Sequence, residues 1–431
     1  MMERWKEYKA SEFCESVTDG THDSPKPKDK GFYLITSKHL KDSYIDFASA
    51  KLISREDYQK IIQRSKVEQY DVLFSMIGTI GNTLRVTSPQ IEFAVKNMGI
   101  FKFGGNNLNS KWFYYWLKSP KAKEYIKTRL SGSTQSYLTL NSLREFPVLC
   151  PDIETQKDIV NILSSFDDKI ELNRRINENL EQEAQALFKS WFVDFEPFKD
   201  GKFVDSELGK IPEGWKVGTF SEIINSTLSG DWGKEYQQGN YIKKVFCIRG
   251  ADIPDIKKGN RGNMPTRYIL EKNFQSKVLA SGDAVIEISG GSPTQSTGRV
   301  CRVSDGLLDK YNHSIVCTNF CRAIKPLLHY SSFLYYMWDM LYKKGVMFSY
   351  ENGTTGIKNL DINGLIQKES IIIPPIEIAL EFEKLTQIFY DKIQFNGVES
   401  ERLSQLRDTL LPRLMSGELK IYDIDSKNLK K

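Results

Sequence analysis

Histidine is scarce in this chain: there are four, His22, His39, His313 and His329, and none is spaced with cysteines as zinc ligands are. The six cysteines (Cys14, Cys150, Cys247, Cys301, Cys317 and Cys321) form no C-x-x-C pair, which argues for reduced thiols in a cytoplasm. Cys317 and Cys321 lie four apart and would share a helix face, with burial as small apolar side chains the simplest reading. No run approaches about 18 consecutive apolar residues, so no membrane span is expected. The opening Met1-Met2-Glu3-Arg4-Trp5-Lys6 has no apolar stretch of the kind a secretory signal needs. No G-x-x-x-x-G-K-[ST] loop is present and no G-x-G-x-x-G follows a strand, which removes the usual phosphate-cradling and dinucleotide sites. The N/D-P-P-Y/F tetrapeptide of DNA amino-methyltransferases is missing too; Ile373-Pro374-Pro375-Ile376 has neither its polar start nor its aromatic end. Asp194-Phe195-Glu196 with Lys199 has nuclease-like residues at the wrong spacing. No catalytic site and no metal site is legible.

What is present is enough apolar material for sizeable cores. Of 431 residues, 40% are hydrophobic and 27% charged, which excludes disorder over the whole chain and suggests two or three domains. The net charge of +5 is unevenly placed. Residues 1–150 carry +7, residues 151–200 carry −6, residues 201–374 carry +5 and residues 375–431 carry −1. Two basic blocks therefore alternate with two acidic or neutral ones, and basic blocks attract polyanions, nucleic acid above all.

The chain also repeats itself, which decides the architecture. Trp5-Lys6 and Ser11-Glu12 recur as Trp215-Lys216 and Ser221-Glu222, an offset of 210. Phe113-Tyr114-Tyr115-Trp116-Leu117 recurs as Phe333-Leu334-Tyr335-Tyr336-Met337, an offset of 220. After each basic block the offset is a constant 223: Pro151, Phe166, Asp168-Lys169-Ile170 and Asn173 return as Pro374, Phe389, Asp391-Lys392-Ile393 and Asn396. The plan is thus a variable basic globule followed by a segment of fixed length, twice.

The fixed segments read as long helices. In the first, Ile159, Leu163, Phe166, Ile170, Leu180, Ala184, Leu187 and Trp191 recur mostly at steps of three and four. Asp152, Glu154 and Asp158 crowd its start, where the helix dipole favours negative charge. The second carries Leu385, Phe389, Ile393, Leu403, Leu406 and Leu410 and is expected to end at Pro412 and Gly417. Asn173 and Asn396 fall inside the stripes, either as buried amides that fix register or at a solvated edge. The expected pairing residues are Leu163, Phe166, Ile170, Asn173, Leu180 and Leu187 against Phe389, Ile393, Asn396, Leu403, Leu406 and Leu410. Residues 154–191 would span about 57 Å at 1.5 Å per residue. The predicted fold is therefore α+β: two tandem globules of mixed α/β type, residues 1–150 and 201–374, separated by helical segments 151–200 and 375–431. The helices pack as an antiparallel coiled coil with an internal pseudo-twofold axis and a globule at each end. Within the globules, Val72-Leu73-Phe74-Ser75-Met76, Val285-Ile286-Glu287-Ile288 and Ser370-Ile371-Ile372-Ile373 read as strands, and residues 111–129 and 331–344 as aromatic-rich helices.

Each globule has Gly/Ser/Thr-rich loops beside basic residues, the composition that contacts phosphates and base edges. In the first, the candidate DNA contacts are Lys26, Lys28, Lys30, Thr79, Asn82, Ser133, Thr134 and Gln135. In the second they are Lys257, Lys258, Arg261, Ser292, Gln295, Thr354, Thr355 and Lys358. The Gly78-to-Gly81 spacing is read as a β-turn rather than a KH-type clamp, and the aromatics from Trp112 to Trp116 as core rather than as stacking platforms for bases.

The layout resembles the specificity subunit of type I restriction–modification systems. Val72-Leu73-Phe74-Ser75-Met76-Ile77-Gly78-Thr79-Ile80-Gly81 is similar to that family's strand–turn phrase. Leu140-Asn141-Ser142-Leu143 before Pro151, and Ile362-Asn363-Gly364-Leu365 before Pro374-Pro375, resemble its lead into the helices, and Leu208-Gly209-Lys210-Ile211-Pro212-Glu213-Gly214-Trp215 its opening of the second target-recognition domain. The match covers essentially the whole chain; the globule loops differ between the copies, as they do in a family whose loops choose the target. The resemblance implies a non-catalytic subunit in which each globule reads one half of a split, asymmetric double-stranded DNA target. The helices act as a ruler and dock two methyltransferase subunits, through which restriction subunits join. AdoMet and ATP would belong to those partners, so no cofactor is expected on this chain. Globules about 57 Å apart correspond to roughly 17 base pairs at 3.4 Å each, less their own width. Two other readings are a standalone DNA-bridging or regulatory protein without a methyltransferase partner, and a fused endonuclease or methyltransferase, against which the missing motifs count.

Overall fold

The structure is a computed structural model that describes residues 5–41, 44–132, 136–292, 295–353 and 358–420. The chain forms two compact units: unit 1 comprises Met1–Glu171 and Leu403–Lys431, and unit 2 comprises Leu172–Arg402. Each fixed-length segment is one continuous helix of 40 residues, Ile153–Phe192 and Ile376–Met415. Each helix therefore contributes one stretch to each unit.

Local chemistry sets the helix ends. Asp152 accepts hydrogen bonds from the Thr155 and Glu154 amides, both 3.0 Å, and from the Thr155 hydroxyl at 2.8 Å. This is the role an acidic N-cap plays, and those bonds, Thr155's first, hold the Asp152 carboxyl below its ordinary range. The first helix stops shortly before Phe195, which adopts a left-handed backbone (φ +54°), and Pro197. The second does not stop at Pro412 as predicted; it runs on to Met415. A proline near a helix end forfeits one hydrogen bond, and burial of Leu411, Leu414 and Met415 offsets that loss. Gly417 then closes the turn at φ +72°, a conformation that favours glycine. A second difference lies in the aromatic segment of unit 1. Residues 111–129 are not one helix but parts of two, Asn107–Leu117 and Pro120–Thr128. Ser119 caps the second through the Ala122 amide (3.3 Å), and Pro120 occupies its first position, where it cannot continue the helix before it.

The two units are built to one topology. Unit 1 has an antiparallel four-stranded sheet in the order Ser16–Asp19, Met98–Lys102, Val72–Ser75, Thr83–Arg85. Beside it Phe32–Ile35 pairs antiparallel with Lys51–Ile53 and parallel with Phe93–Val95. Lys6–Lys9 pairs with Pro147–Cys150, just before the first long helix. Unit 2 repeats all three. Its four strands run Ile224–Ser229, Cys321–Pro326, Ala284–Glu287, Val300–Arg302. Tyr241–Ile248 pairs antiparallel with Thr266–Leu270 and parallel with Ile315–Cys317, and Lys216–Thr219 pairs with Ser370–Ile373. Unit 2 adds the hairpin Phe203–Ser206 with Gly209–Pro212 and a small sheet of Ser289–Gly290, Lys358–Leu360 and Glu351–Asn352. Cys317 and Cys321 therefore sit on consecutive strands of different sheets rather than on one helix face. Both are buried, and burial pushes the Cys321 thiol up to about 12.

In each unit the aromatic helix bolts the globule to the long helix. In unit 1, Trp112 and Trp116 are buried and donate to the carbonyls of Leu149 (3.0 Å) and Pro147 (2.7 Å). Tyr115 donates to Asp167 at 2.7 Å and Lys111 to Ser164 at 3.1 Å, both partners lying on the first long helix. In unit 2 the helix Ser331–Lys343 packs Phe333 and Tyr336 against Phe188 of that helix, and Tyr336 also meets Phe382 of the second.

The long helices pair antiparallel within each unit. In unit 1, Ile159, Val160 and Leu163 share a core with Leu411, Leu414 and Met415, and Arg407 donates to Asp167 at 2.6 Å. In unit 2, Asn173 and Asn396 are both buried, which settles their alternative placements. Asn173 donates to Glu399 (2.7 Å) and Asn396 donates to Asn177 (2.8 Å). Of the expected pairing residues, Leu163, Asn173, Ile393 and Asn396 are buried, while Phe166, Ile170, Leu180, Leu187, Phe389, Leu403 and Leu410 are half-buried. Leu406 is 42% exposed and lies off the seam. The apolar spacing located a helix but not its seam, because in unit 2 amides rather than apolar side chains fill the buried positions nearest Asn173.

Candidate nucleic-acid interface

The candidate residues meet different fates. Residues 24–30 of unit 1 form an exposed segment tied to its sheet where the Lys28 amide donates to the Leu52 carbonyl at 2.9 Å. The side chains of Lys26, Lys28 and Lys30 point into solvent and make no ion pair among the described residues. Thr79 and Asn82 belong to the tight turn joining Val72–Ser75 to Thr83–Arg85. There Ser75 donates to the Thr79 carbonyl and accepts from the Asn82 amide at 2.8 Å. Gly78 and Gly81 both have positive φ, and the turn is closed by the Ile80 amide on the Gly78 carbonyl (3.0 Å) and the Gly81 amide on the Ser75 carbonyl (3.1 Å). Ser133, Thr134 and Gln135, and likewise Thr354 and Thr355, lie outside the described residues.

In unit 2 most candidate cations are engaged. Lys257 pairs with Asp339. Burial works to raise the Asp339 carboxyl, but Lys257 and Lys343 hold it below its ordinary range. Arg261 lies 4.5 Å from the Tyr311 ring centre and 3.4 Å from Glu401. The Lys258 carbonyl accepts from Asn177 at 3.0 Å. This loop is thereby fastened to the long helices. A Cβ on Gly397 would lie 1.8 Å from the Gly259 carbonyl oxygen, so backbone meets backbone there and only glycine fits. Ser292, Gln295 and Lys358 gather around the small extra sheet. Gln295 donates its amide to the Ser292 hydroxyl at 3.0 Å, and Lys358 donates to Glu351 at 2.8 Å. Burial opposes ionisation of Glu351, yet Lys358 and Thr297 hold its carboxyl low.

Two features had no marker in the sequence. In unit 1, His22 bridges Asn97 (2.8 Å) and Asp19 (3.0 Å), and Asp19 in turn holds Arg64 at 2.6 Å. In unit 2, Arg267 stacks on Trp232, 3.8 Å from the ring centre, and Phe320 is 63% exposed. In sequence the two places share only a glycine, Gly20-Thr21-His22 against Gly230-Asp231-Trp232. Among the described residues no group of three or more His, Cys, Asp or Glu is placed to hold a metal ion, and no helix is long and apolar enough to cross a membrane.

Residues 2–182 match the family model described as type I restriction modification DNA specificity domain. The chain is 30% identical to the MjaIX specificity subunit of a type I restriction enzyme from Methanocaldococcus jannaschii, over 73% of this chain and 70% of that one. The chain belongs to the type I restriction enzyme specificity subunits. A second relative, the HindI specificity subunit of Haemophilus influenzae, is 25% identical over 97% of this chain and all of that one. The crystal structure of the type I S subunit from M. genitalium shares the fold, with a TM-score of 0.50 and 18% identity over 96% of both chains. As a specificity subunit the chain is the non-catalytic, DNA-recognising component of its system. The α+β architecture of two globules with paired long helices is that of the family.

Proposed function

We propose that this specificity subunit reads a bipartite, asymmetric DNA target and brings methyltransferase and restriction subunits to it. The observation that carries the reading is the doubled topology: the same three sheets and the same aromatic helix occur in both units, with unlike surface loops. Two similar scaffolds with different loops read two different half-sites. The target-recognition domains are residues 1–150 and 201–374, and the helical segments 151–200 and 375–431 set the spacing between half-sites. Unengaged Lys26, Lys28 and Lys30 supply phosphate contacts, which position without reading sequence. Thr79, Asn82, Ser292 and Gln295 are the candidates for closer contact. Lys257, Lys258 and Arg261 hold their loop to the helices, and Lys358 holds the small sheet.

Docking of two methyltransferase subunits on the helices is supported by apolar side chains left uncovered there: Ile388 is 66% exposed, Phe395 60% and Val398 47%. AdoMet and ATP are bound by the partner subunits. Single-molecule methylome sequencing of host DNA, with and without this gene, tests the function. Loss of a split adenine-methylated motif with the gene is the expected result; an unchanged methylome contradicts it. The ruler has its own test. Inserting four residues within 173–182, about 6 Å of helix, is expected to change the spacer and leave both half-sites as they were. Altered half-sites with an unchanged spacer would rule the ruler out.

A further inference from the structure

Each unit carries an unassigned side-chain cluster at the same place in its topology. The first strand of each four-stranded sheet is followed by a glycine pressed against the end of the parallel strand. A Cβ on Gly20 would lie 2.3 Å from the Val95 carbonyl oxygen, and one on Gly230 would lie 1.9 Å from that of Thr318. The residue after each glycine is pinned in the same way: the Thr21 amide donates to Val95 at 3.0 Å and the Asp231 amide to Cys317 at 2.8 Å. The next side chain in each unit, His22 or Trp232, is thus delivered to the strand end by the same backbone device. The strand that follows is preceded by Asn97 in unit 1 and by Phe320 in unit 2.

The chemistry at this shared place is opposite in kind. In unit 1 it is polar. His22 hydrogen-bonds Asn97, Asn97 has φ +54°, and Asp19 with Arg64 backs the imidazole. Lys96 donates to Ser24, at the head of the exposed segment that carries Lys26, Lys28 and Lys30. In unit 2 it is aromatic. Trp232 lies over the Arg267 guanidinium. Phe320 stands on a rigid turn, closed by the Cys321 amide on the Thr318 carbonyl (2.9 Å), and its own carbonyl accepts from the Ile288 amide (2.9 Å). The Nε atoms of Arg267 and Arg322 are buried without a hydrogen-bond partner. Exposed rings on a fixed backbone, one of them beside the Arg267 guanidinium, suit a ligand that is both flat and anionic. A carboxamide reads base edges by hydrogen bonds; both ring nitrogens of His22 are engaged, on Asn97 and Asp19, so the imidazole orients that carboxamide. Rings stack on bases, wedge between base steps or meet the thymine methyl.

We propose that the Asn97 carboxamide, held in place by His22, in unit 1 and the Trp232 and Phe320 rings in unit 2 occupy equivalent base-contacting positions, the first reading base edges by hydrogen bonds and the second by ring contact. The inference rests on the reading that each unit recognises one half-site. It gives the asymmetry of the target a residue-level cause.

The experiment expresses the full chain with its methyltransferase subunits, carrying His22→Ala, Asn97→Ala, Trp232→Ala or Phe320→Ala. It sequences the methylome and measures binding to duplexes with single-base changes. Phe320→Ala removes an exposed ring, and its melting curve checks that the fold is kept. The expected result is relaxation in one half-site only for His22→Ala and Asn97→Ala, and in the other only for Trp232→Ala and Phe320→Ala. Discrimination at the affected position falls about tenfold or more, and the spacer stays unchanged. If folded variants keep wild-type discrimination at every position, the proposal is overturned. It is equally overturned if they lose methyltransferase binding while DNA recognition is intact, which would make the clusters a protein-docking surface. A wild-type methylome without a split motif would sink the half-site reading itself; a split motif indifferent to all four substitutions sinks this assignment alone.

Discussion

In unit 1 the paired helices meet through Ile159, Val160 and Leu163 against Leu411, Leu414 and Met415; in unit 2, at Asn173, Asn177 and Asn396, amides face each other instead. The first contact is non-directional, and its stabilisation grows with the area removed from water. The second is directional. Asn177 donates to the carbonyls of Ile393 (3.1 Å) and Lys258 (3.0 Å) while accepting from Asn396, so one side chain ties both long helices and a globule loop together. A one-residue slip would leave all of these groups unpaired in a buried place, a steep penalty. Apolar packing holds the helices together, whereas the amides determine which residues face each other. For a subunit proposed to measure a distance along DNA, the second property matters as much as the first.

Three substitutions would break or sharpen this comparison. Leu163→Ala empties a fully buried site in the apolar contact and is expected to cost about 2–5 kcal/mol. Chemical unfolding followed by circular dichroism measures it, and a loss well under 1 kcal/mol would mean that this contact is not the stabilising one. Asn177→Ala is expected to cost less, about 1–2 kcal/mol, by leaving the Asn396 amide unpaired. Its more telling readout is the methylated motif, where spacer lengths are expected to broaden while both half-sites survive. An unchanged spacer with unchanged stability would remove the register role.

The smallest effect expected is one of pH. Burial raises the Glu181 carboxyl on the first long helix, with Lys257 opposing, and its Oε2 is buried without a hydrogen-bond partner. The folded state therefore binds this proton more tightly than the unfolded chain, in which a glutamic acid titrates near 4.3. The stability it contributes is present below that value and is lost as pH rises through the folded one. Glu181→Gln keeps an acceptor for Gln185, which donates to Oε1 at 2.7 Å, and is expected to flatten the fall in melting temperature from mildly acidic to neutral pH. A fall as steep as in the wild type would place that titration elsewhere.

Much of the architecture is legible in the sequence. The constant offset of 223 marked both long helices, and the two extend over equal lengths of 40 residues. Strands at Val72–Ser75, Ala284–Glu287 and Ser370–Ile373 lie where apolar runs bounded by glycine and proline put them. The misses share a cause. The break at Pro120 and the passage through Pro412 were both decided by what surrounds each proline: a serine cap in one case and a buried last turn in the other. Leu406 fits the apolar spacing and is exposed, because spacing specifies a face and not its partner. The candidate interface was the least legible. Lys26, Lys257 and Lys358 look alike as residues in basic, glycine-rich loops, yet the first is unengaged while the others meet Asp339 and Glu351.

By itself the sequence determined the duplication, the two long helices, the basic character of the globules and the absence of the usual nucleotide and zinc motifs. These are statements about composition, spacing and period, which survive without knowing any neighbour. The tertiary structure alone decided which charges remain available to a ligand, whether Asn173 and Asn396 face inward, and that His22 and Trp232 occupy one topological place. Each of those depends on groups brought together from far apart in the chain: Lys257 and Asp339 are 82 residues apart, and Asn177 and Asn396 are 219. A side chain's free energy is set by what it touches, and for these residues the touching groups are chosen by the fold.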